Sequence, residues 1–232
     1  MNAFVAQSAV FGVLLCLSTY ALGTAVQRRF PSPLTNPLIL SIALCIGILS
    51  LLRIETAQFM LSASWLSRLL TPATIALALP LHEQMALLRR NPRAVLVGIG
   101  SGVAASFATI LIGAMLFGFT RAELFTFLPK SITTAIGMDL SAQTGGIVSL
   151  TVAAIILTGN LGNAIAIPFL RLLRVTDPIA QGIALGTSSH AIGTVKAMEM
   201  GEIQGAMSSL SIVIAGLMTA LAVTLLSLLL PA

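Results

Sequence analysis

The chain has 232 residues, of which 57% are hydrophobic and 8% are charged, and its mean hydropathy is +1.03. This composition excludes a water-soluble globular domain, in which about a quarter of the residues are charged. The formal net charge of +5 does not indicate nucleic-acid binding, because most basic residues lie in short turns between apolar runs, as the positive-inside rule describes. We therefore predict an all-α integral membrane protein whose solvent is the lipid bilayer.

The first half of the chain predicts three spans and two weaker segments. The spans are apolar runs long enough to cross a bilayer, and basic residues follow or precede them in the turns. One weaker segment is short and fits an interfacial helix or half of a broken helix. The other contains Pro80, His82 and Glu83, which must face protein or water rather than lipid. In chain order these segments are 5–26, 36–52, 57–69 (short), 72–90 (polar) and 94–117.

The second half repeats this alternation of apolar and polar segments. Its polar segments carry charged residues and glycines that predict broken or re-entrant helices. The four segments are 121–146 (polar), 147–173, 179–201 (polar) and 204–230. Because 57–69 is too short for a full span, the whole chain, 1–232, is predicted to be one multi-pass membrane domain of seven to eight membrane segments.

The hydropathy pattern of residues 5–117 recurs in residues 121–230. Two structural repeats with interrupted segments at matching positions are typical of secondary transporters. The Gly-rich span at 94–117 favours close helix packing and suggests a homo-oligomer.

The first candidate site is the segment from Pro129 to Thr134. If proline begins a helix there, Lys130, Thr133 and Thr134 share one face, and Ser131 lies beside them. A carboxylate suits such a helix end, where free N–H groups, an ammonium and hydroxyls meet. The alternative is that Lys130 extends to the lipid headgroups while the threonines bond their own backbone.

The second candidate site is the segment from Gly186 to Thr194. Spacings of three and seven place Thr187, His190 and Thr194 on one helical face, and Ser188 lies among them. His190 is suited to bind a carboxylate or to relay a proton near neutral pH. The alternative is a buried structural histidine.

Two further groups are candidates for the same cavity. Asn160 and Asn163 lie three residues apart in a span and either line a cavity or join helices by hydrogen bonds. Glu83 lies in a polar broken segment and either pairs with Arg90 or, like His190, carries a coupled proton.

Other chemistries lack their sequence patterns. The chain has no Cys/His cluster for zinc, no nucleotide-binding glycine loop and no paired intramembrane carboxylates for a metal. Ser188 and Ser189 do not form a hydrolytic dyad with His190, because neighbouring residues on a helix point apart. We therefore expect neither an enzyme nor a cofactor.

The motifs at 129–134, Gly145-Gly146 and 186–194, followed by Glu202 and Gly205-Ala206, resemble the LrgB/CidB family. The resemblance covers essentially the whole chain. The chain departs from the family pattern at Ser189, where alanine is more usual, and at Asn160 and Asn163, where smaller residues are common.

The resemblance implies two functions. Family members are described as holin-like or antiholin-like regulators of murein hydrolase export and autolysis, and relatives include the plant plastid glycolate/glycerate translocator and proteins linked to pyruvate uptake. We expect a transporter of small monocarboxylates, proton-coupled, in the cell (inner or plasma) membrane. The alternative is a regulator of membrane permeability. The resemblance also implies a separate small membrane partner of the LrgA/CidA type.

Overall fold

The structure is a computed structural model that describes residues 8–30, 35, 37–69, 72, 75, 89 and 92–230. Every regular element in these residues is a helix, so the predicted all-α class is confirmed. The chain divides into two compact units, Met1–Ile75 and Ala76–Ala232. The predicted polar segment at 72–90, including His82 and Glu83, lies almost entirely outside the described residues.

The described helices follow the predicted segments closely. Three of them begin at a proline, where the missing N–H costs no helical hydrogen bond. The first unit contains α1 (Ala9–Arg29), α2 (Pro37–Leu51), α3 (Thr56–Ser62) and α4 (Ser64–Arg68). The second contains α5 (Pro92–Phe117), α6 (Arg121–Phe127), α7 (Thr134–Thr144), α8 (Val148–Leu172), α9 (Pro178–Met200) and α10 (Glu202–Leu229).

Four of these helices are long and apolar enough to cross a membrane: Val10–Arg29, Val95–Phe117, Val148–Leu172 and Glu202–Leu229. The pair α2 and α3 gives a fifth span if these two helices, bent by 120°, count as one. The 23-residue helix α9 is not among them. The predicted seven to eight segments and the two repeats are therefore not confirmed within the described residues, and the single domain stays a prediction.

In the first unit, a buried hydroxyl joins α1 to α2. Thr19 is 1% exposed, and its Oγ1 lies 3.0 Å from Ser41 Oγ and 3.2 Å from Cys45 Sγ. Its hydroxyl also donates to Leu15 O, one turn earlier in α1. A hydroxyl that bonds within its own helix and to a neighbour suits an apolar surrounding, in which free polar groups are costly.

In the second unit, the predicted broken segment at 121–146 consists of two short helices, α6 and α7. Thr120 and Glu123 form a reciprocal capping box at the start of α6. The Thr120 backbone N–H, and secondly its hydroxyl, hold the pKa of Glu123 below its usual value. Thr151 of α8 holds α6 and α7 together, since its hydroxyl lies 2.7 Å from Ser141 Oγ in α7 and 3.0 Å from Thr126 O in α6.

Helices α9 and α10 pack with their backbones in contact. A Cβ on Gly182 would lie 2.5 Å from Gln204 O, and one on Gly186 would meet Ser208 O. Only glycine permits this approach. The apolar core beside the contact includes Ile99 from α5 and Leu210 from α10, both fully buried.

Arg121 connects three helix ends. Its Nε donates to Leu230 O after α10, its Nη1 donates to Thr144 O at the end of α7, and its guanidinium lies 4.8 Å from the Phe125 ring centroid. The last carbonyls of a helix lack helical partners, so a guanidinium that reaches two of them stabilises both ends at once.

We predict that Arg121→Met lowers the free energy of unfolding by about 1–3 kcal/mol, because both carbonyls lose a charged donor. The measurement is the thermal midpoint of the purified protein in detergent, followed by circular dichroism. Arg121→Lys, which keeps the charge but not the planar fork, should give an intermediate midpoint. An unchanged midpoint in Arg121→Met would contradict the role assigned to Arg121.

Candidate functional site

Helix α9 is broken at His190, whose backbone angles are φ 42° and ψ −138°. This conformation costs a non-glycine residue about 1–3 kcal/mol unless its surroundings hold it. Two contacts do so: the ring Nε2 lies 3.0 Å from Ile155 O in α8, and the Thr194 hydroxyl donates to His190 O over 3.0 Å. Because a carbonyl only accepts, Nε2 carries a proton in this arrangement.

Glycines in α8 make room for the break. A Cβ on Gly159 would lie 2.7 Å from Cε1 and Nε2 of His190, and a Cβ on Gly162 would meet the Ser189 side chain. The two helices therefore approach most closely where α9 is broken. Asn163, the residue after Gly162 in α8, donates to Ile192 O over 3.0 Å. Ile192 lies just after the break in α9.

The start of α7 lies at the same level of α8 as the break. Helices α7 and α8 run antiparallel, with Ser141 beside Thr151 and Gly137 in contact with Ile155 one turn further. One more turn along each helix brings Thr133, the N-cap of α7, to the level of Gly159. The N-terminus of α7 and the break in α9 thus lie at the same level along α8.

A cavity of about 1120 Å³ lies beside the break in α9, between α5, residues 130–131, α8 and α9. Its charged lining residues are Lys130 and Asp177. Asp177 is the N-cap of α9, and its Oδ1 accepts the Ala180 N–H. Apart from these two, the lining is apolar or small except for hydroxyl residues, which are Ser101, Ser106, Thr109, Ser131, Thr158, Thr187, Ser188 and Ser189.

Lys130 presents its ammonium to the cavity. Nζ donates to Ser131 Oγ over 3.1 Å, and Ser131 Oγ lies 3.1 Å from Ser106 Oγ in α5. Among the described residues no carboxylate lies within ion-pair distance of Lys130. An ammonium has three donors, so a half-buried lysine with one such contact is suited to bind an anion.

Thr187 supplies an unused hydroxyl to the cavity wall. It is 5% exposed, and its Oγ1 has no hydrogen-bond partner in the part of the chain that the structure describes. Its methyl group occupies the space beside Gly102, where a Cβ would lie 2.6 Å from Thr187 Cγ2. Since Gly102 and Ser106 lie one turn apart on α5, Thr187 and Ser131 contact the same face of that helix.

The structure brings four of the predicted site residues to this cavity: Lys130, Ser131, Thr187 and Ser188. The predicted shared helical faces are not formed. Residues 128–133 are not helical and α7 begins at Thr134, because Pro129 follows the end of α6 and does not start a helix. In the second segment the break at His190 turns Thr194 towards Ser208 of α10, 2.7 Å away.

The other predicted site residues in the described part of the chain do not line the cavity. Asn160 is 6% exposed and donates to Ile156 O, while its Oδ1 has no partner among the described residues. Thr133 Oγ1 is likewise buried without a described partner. These residues lie outside the cavity lining: Thr133, Thr134, Asn160, Asn163, His190 and Thr194. Glu83 lies outside the described residues.

Sequence reasoning missed the contribution of α5. Gly98, Gly102, Ser106 and Thr109 follow one another at spacings of three or four residues and face the cavity. The signal was present as a row of small and hydroxyl residues in an otherwise apolar span. It was interpreted as a packing face, because small residues serve helix contacts equally well.

The arrangement is suited to hold a small anion. Lys130 supplies the positive charge and the hydroxyls supply donors of adjustable direction. The described residues contain no group of three or more His, Cys, Asp or Glu side chains that could hold a metal ion.

Comparisons with known proteins cover nearly the whole chain. Residues 16–229 match the LrgB-like family. The uncharacterized protein YxaC of Bacillus subtilis (strain 168) is 35% identical over 203 residues, 88% of each chain. The holin-like protein CidB of Staphylococcus aureus (strain Mu50) is 31% identical over 229 residues, 99% of each chain. No solved structure matches.

We predict that Gly159→Ala destabilises the protein by about 1–3 kcal/mol, because the added methyl group overlaps the His190 ring. The matched control is Gly113→Ala, also within a helix, where a Cβ would meet nothing within 4 Å. That variant should be neutral or slightly stabilising. The thermal midpoint of Gly159→Ala should therefore lie below that of Gly113→Ala, and equal midpoints would show that α8 and α9 do not hold the break as described.

Proposed function

The chain belongs to the LrgB-like family, and we propose that within this family it is a secondary transporter of small monocarboxylates such as glycolate, glycerate or pyruvate. The observation that supports this proposal is the cavity at Lys130, because it combines an ammonium that lacks a described carboxylate partner with hydroxyls from three helices. In this proposal the protein lies in the cell membrane, and no catalytic step or cofactor is assigned to it.

The carboxylate binds at Lys130 and Ser131 in this proposal. Ser106 holds Ser131 in place through their 3.1 Å contact, so both free N–H groups of Lys130 remain directed to the ligand. Thr187 and Ser188 receive the hydroxyl or keto oxygen of the substrate. The unpaired Oγ1 of Thr187 supports this role, because a buried hydroxyl gains about 0.5–1.5 kcal/mol from a partner.

The break in α9 supplies the element that moves. Its two halves meet at a strained residue, and strained backbone positions cluster at binding sites and switch regions. Rotation of the first half of α9 against α5 would open or close the cavity, since Ile183 and Thr187 of α9 lie against Gly98 and Gly102 of α5. His190 or Glu83 carries the coupled proton in this scheme.

A second candidate function is regulation of membrane permeability and autolysis, and the comparisons favour it over the first. The relative CidB is named holin-like and matches this chain over 99% of each length. In this alternative the protein assembles into a homo-oligomer, or with a small LrgA/CidA-type membrane protein. Its effect then depends on contacts between helices and not on a saturable cavity.

We predict that Lys130→Gln reduces uptake of labelled glycolate and pyruvate into proteoliposomes by about 10- to 100-fold at low substrate concentration, because a charged hydrogen bond contributes about 1.5–3 kcal/mol. The control is Lys196→Gln, because Lys196 pairs with Glu199 at 2.6 Å and lies outside the cavity. It should transport as the wild type does.

The same vesicles distinguish the two functions. Saturable uptake that other small carboxylates compete for would support the transporter. Release of an entrapped neutral dye of similar size, equal in the wild type and in Lys130→Gln, would instead favour the permeability regulator.

We predict that His190→Gln abolishes uphill accumulation driven by a proton gradient while leaving carboxylate exchange between the two sides intact. Glutamine keeps a side-chain N–H for Ile155 O but cannot change its charge. Glu83→Gln is the parallel test of the other candidate. If both variants still accumulate substrate uphill, neither residue carries the proton.

A further inference from the structure

A second cavity, of about 590 Å³, lies at the end of α8 and contains two arginines. Arg171 and Arg174 line it together with the polar side chains of Thr176, Gln181 and Gln204. The two glutamines are held in place: Gln204 Nε2 donates to Gln181 Oε1 over 3.1 Å, and Gln181 Nε2 donates to Val175 O over 2.8 Å. The cavity is therefore lined by two arginines and by two glutamines that hydrogen bonds hold in place.

Arg174 adopts a backbone conformation that normally calls for glycine. Helix α8 ends in a Schellman motif, in which Val175 N donates to Leu170 O and Arg174 N to Arg171 O. Arg174 occupies the left-handed position of this motif with φ 55°. In the equivalent position after α7 the chain has Gly145, with φ 80°. The side chain at position 174 is thus present at a cost to the backbone of about 1–3 kcal/mol.

The charged side chains that line this cavity, Arg171 and Arg174, are both cationic and therefore favour an anion. The negative partial charge at the C-terminal end of α8 is reduced, because the carbonyls of Phe169, Leu170 and Arg171 all accept backbone hydrogen bonds. Of the acidic residues nearby in sequence, Asp177 accepts the Ala180 N–H and Glu199 pairs with Lys196, while Glu202 lies between the lining residues Met200 and Gln204 and forms no ion pair among the described residues. Within the described residues neither Arg171 nor Arg174 forms an ion pair.

We propose that Arg171 and Arg174 form an oxyanion site that binds a phosphate group and is separate from the Lys130 cavity. A guanidinium group donates two parallel hydrogen bonds to phosphate oxygens. The amide and hydroxyl groups of the cavity lining complete such a site. The arginines lie at the end of a candidate span, Val148–Leu172. The ends of such spans lie at the depth of the lipid headgroups. The phosphate comes from an anionic phospholipid or from free phosphate in solution.

The site adjoins the larger cavity. Leu170 and Val175 line both, so an anion held at the arginines lies against the wall of the Lys130 cavity. Binding of an anion at Arg171 and Arg174 therefore affects the end of α8 and the start of α9. This first half of α9 carries Thr187. The site itself does not depend on whether the protein is a transporter.

The test uses the purified full chain in neutral detergent with phosphatidylglycerol as the probe. Arg174→Gly removes the guanidinium and relieves the backbone, so this variant should fold at least as stably as the wild type. Arg171→Gln removes the other guanidinium. The matched control is Arg53→Gly, because Arg53 occupies the same left-handed position after α2, with φ 52°, and lines neither cavity.

Binding is measured by native mass spectrometry and by the rise in thermal midpoint on adding phosphatidylglycerol, with phosphatidylcholine as the uncharged reference. We expect about tenfold weaker phosphatidylglycerol binding in Arg174→Gly and Arg171→Gln, and wild-type binding in Arg53→Gly. Wild-type binding in Arg174→Gly overturns the proposal, and so does an equal loss in Arg53→Gly.

A second arm identifies the source of the phosphate. Sodium phosphate is compared with sodium chloride at equal ionic strength, without added lipid. Stabilisation of the wild type but not of Arg174→Gly by phosphate alone supports a soluble oxyanion, whereas stabilisation by phosphatidylglycerol alone supports a lipid headgroup. If neither probe stabilises the wild type, no oxyanion site exists there.

Discussion

The close contact between α8 and α9 is the constraint on which the rest of the second unit depends. Gly159 and Gly162 leave no side chain on the face of α8 that meets His190 and Ser189. Only this contact brings the His190 ring to Ile155 O, and this hydrogen bond holds a backbone conformation that is unfavourable by itself. The break then directs Thr187 towards α5 on one side and Thr194 towards α10 on the other.

The treatment of polar groups separates scaffold from site. Several buried hydroxyls bond a carbonyl one turn earlier in their own helix, as Thr19, Thr126, Thr144 and Ser211 do. Such groups carry no free polarity into an apolar surrounding. The buried side-chain oxygens without a partner in the described residues belong to Thr133, Asn160 and Thr187, all close to the start of α7 or the break in α9. Of these three residues, Thr187 lines the Lys130 cavity, where a ligand is expected.

The two proposed functions make different use of this region. A transporter needs a charged cavity that binds one solute at a time, and the Lys130 cavity has the charge and the donors for it. A holin-like protein needs apolar faces for assembly, and many large apolar side chains of the long helices are exposed in the isolated chain. Membrane helices present such faces to lipid in either case. The cavity is therefore the feature that separates the two functions.

The sequence by itself determined the helical class, the apolar spans and the polar segments, because hydrophobic run length and helix-breaking residues are local properties. It also selected Lys130, Ser131, Thr187 and Ser188, because they lie in polar segments between the apolar spans. Helical spacing wrongly placed Lys130 with Thr133, and Thr187 with His190, because it assumes unbroken helices. The sequence predicted a broken helix at 179–201, but only the tertiary structure placed the break at His190 and revealed the α5 face and the arginine cavity, since each depends on contacts between segments far apart in the chain.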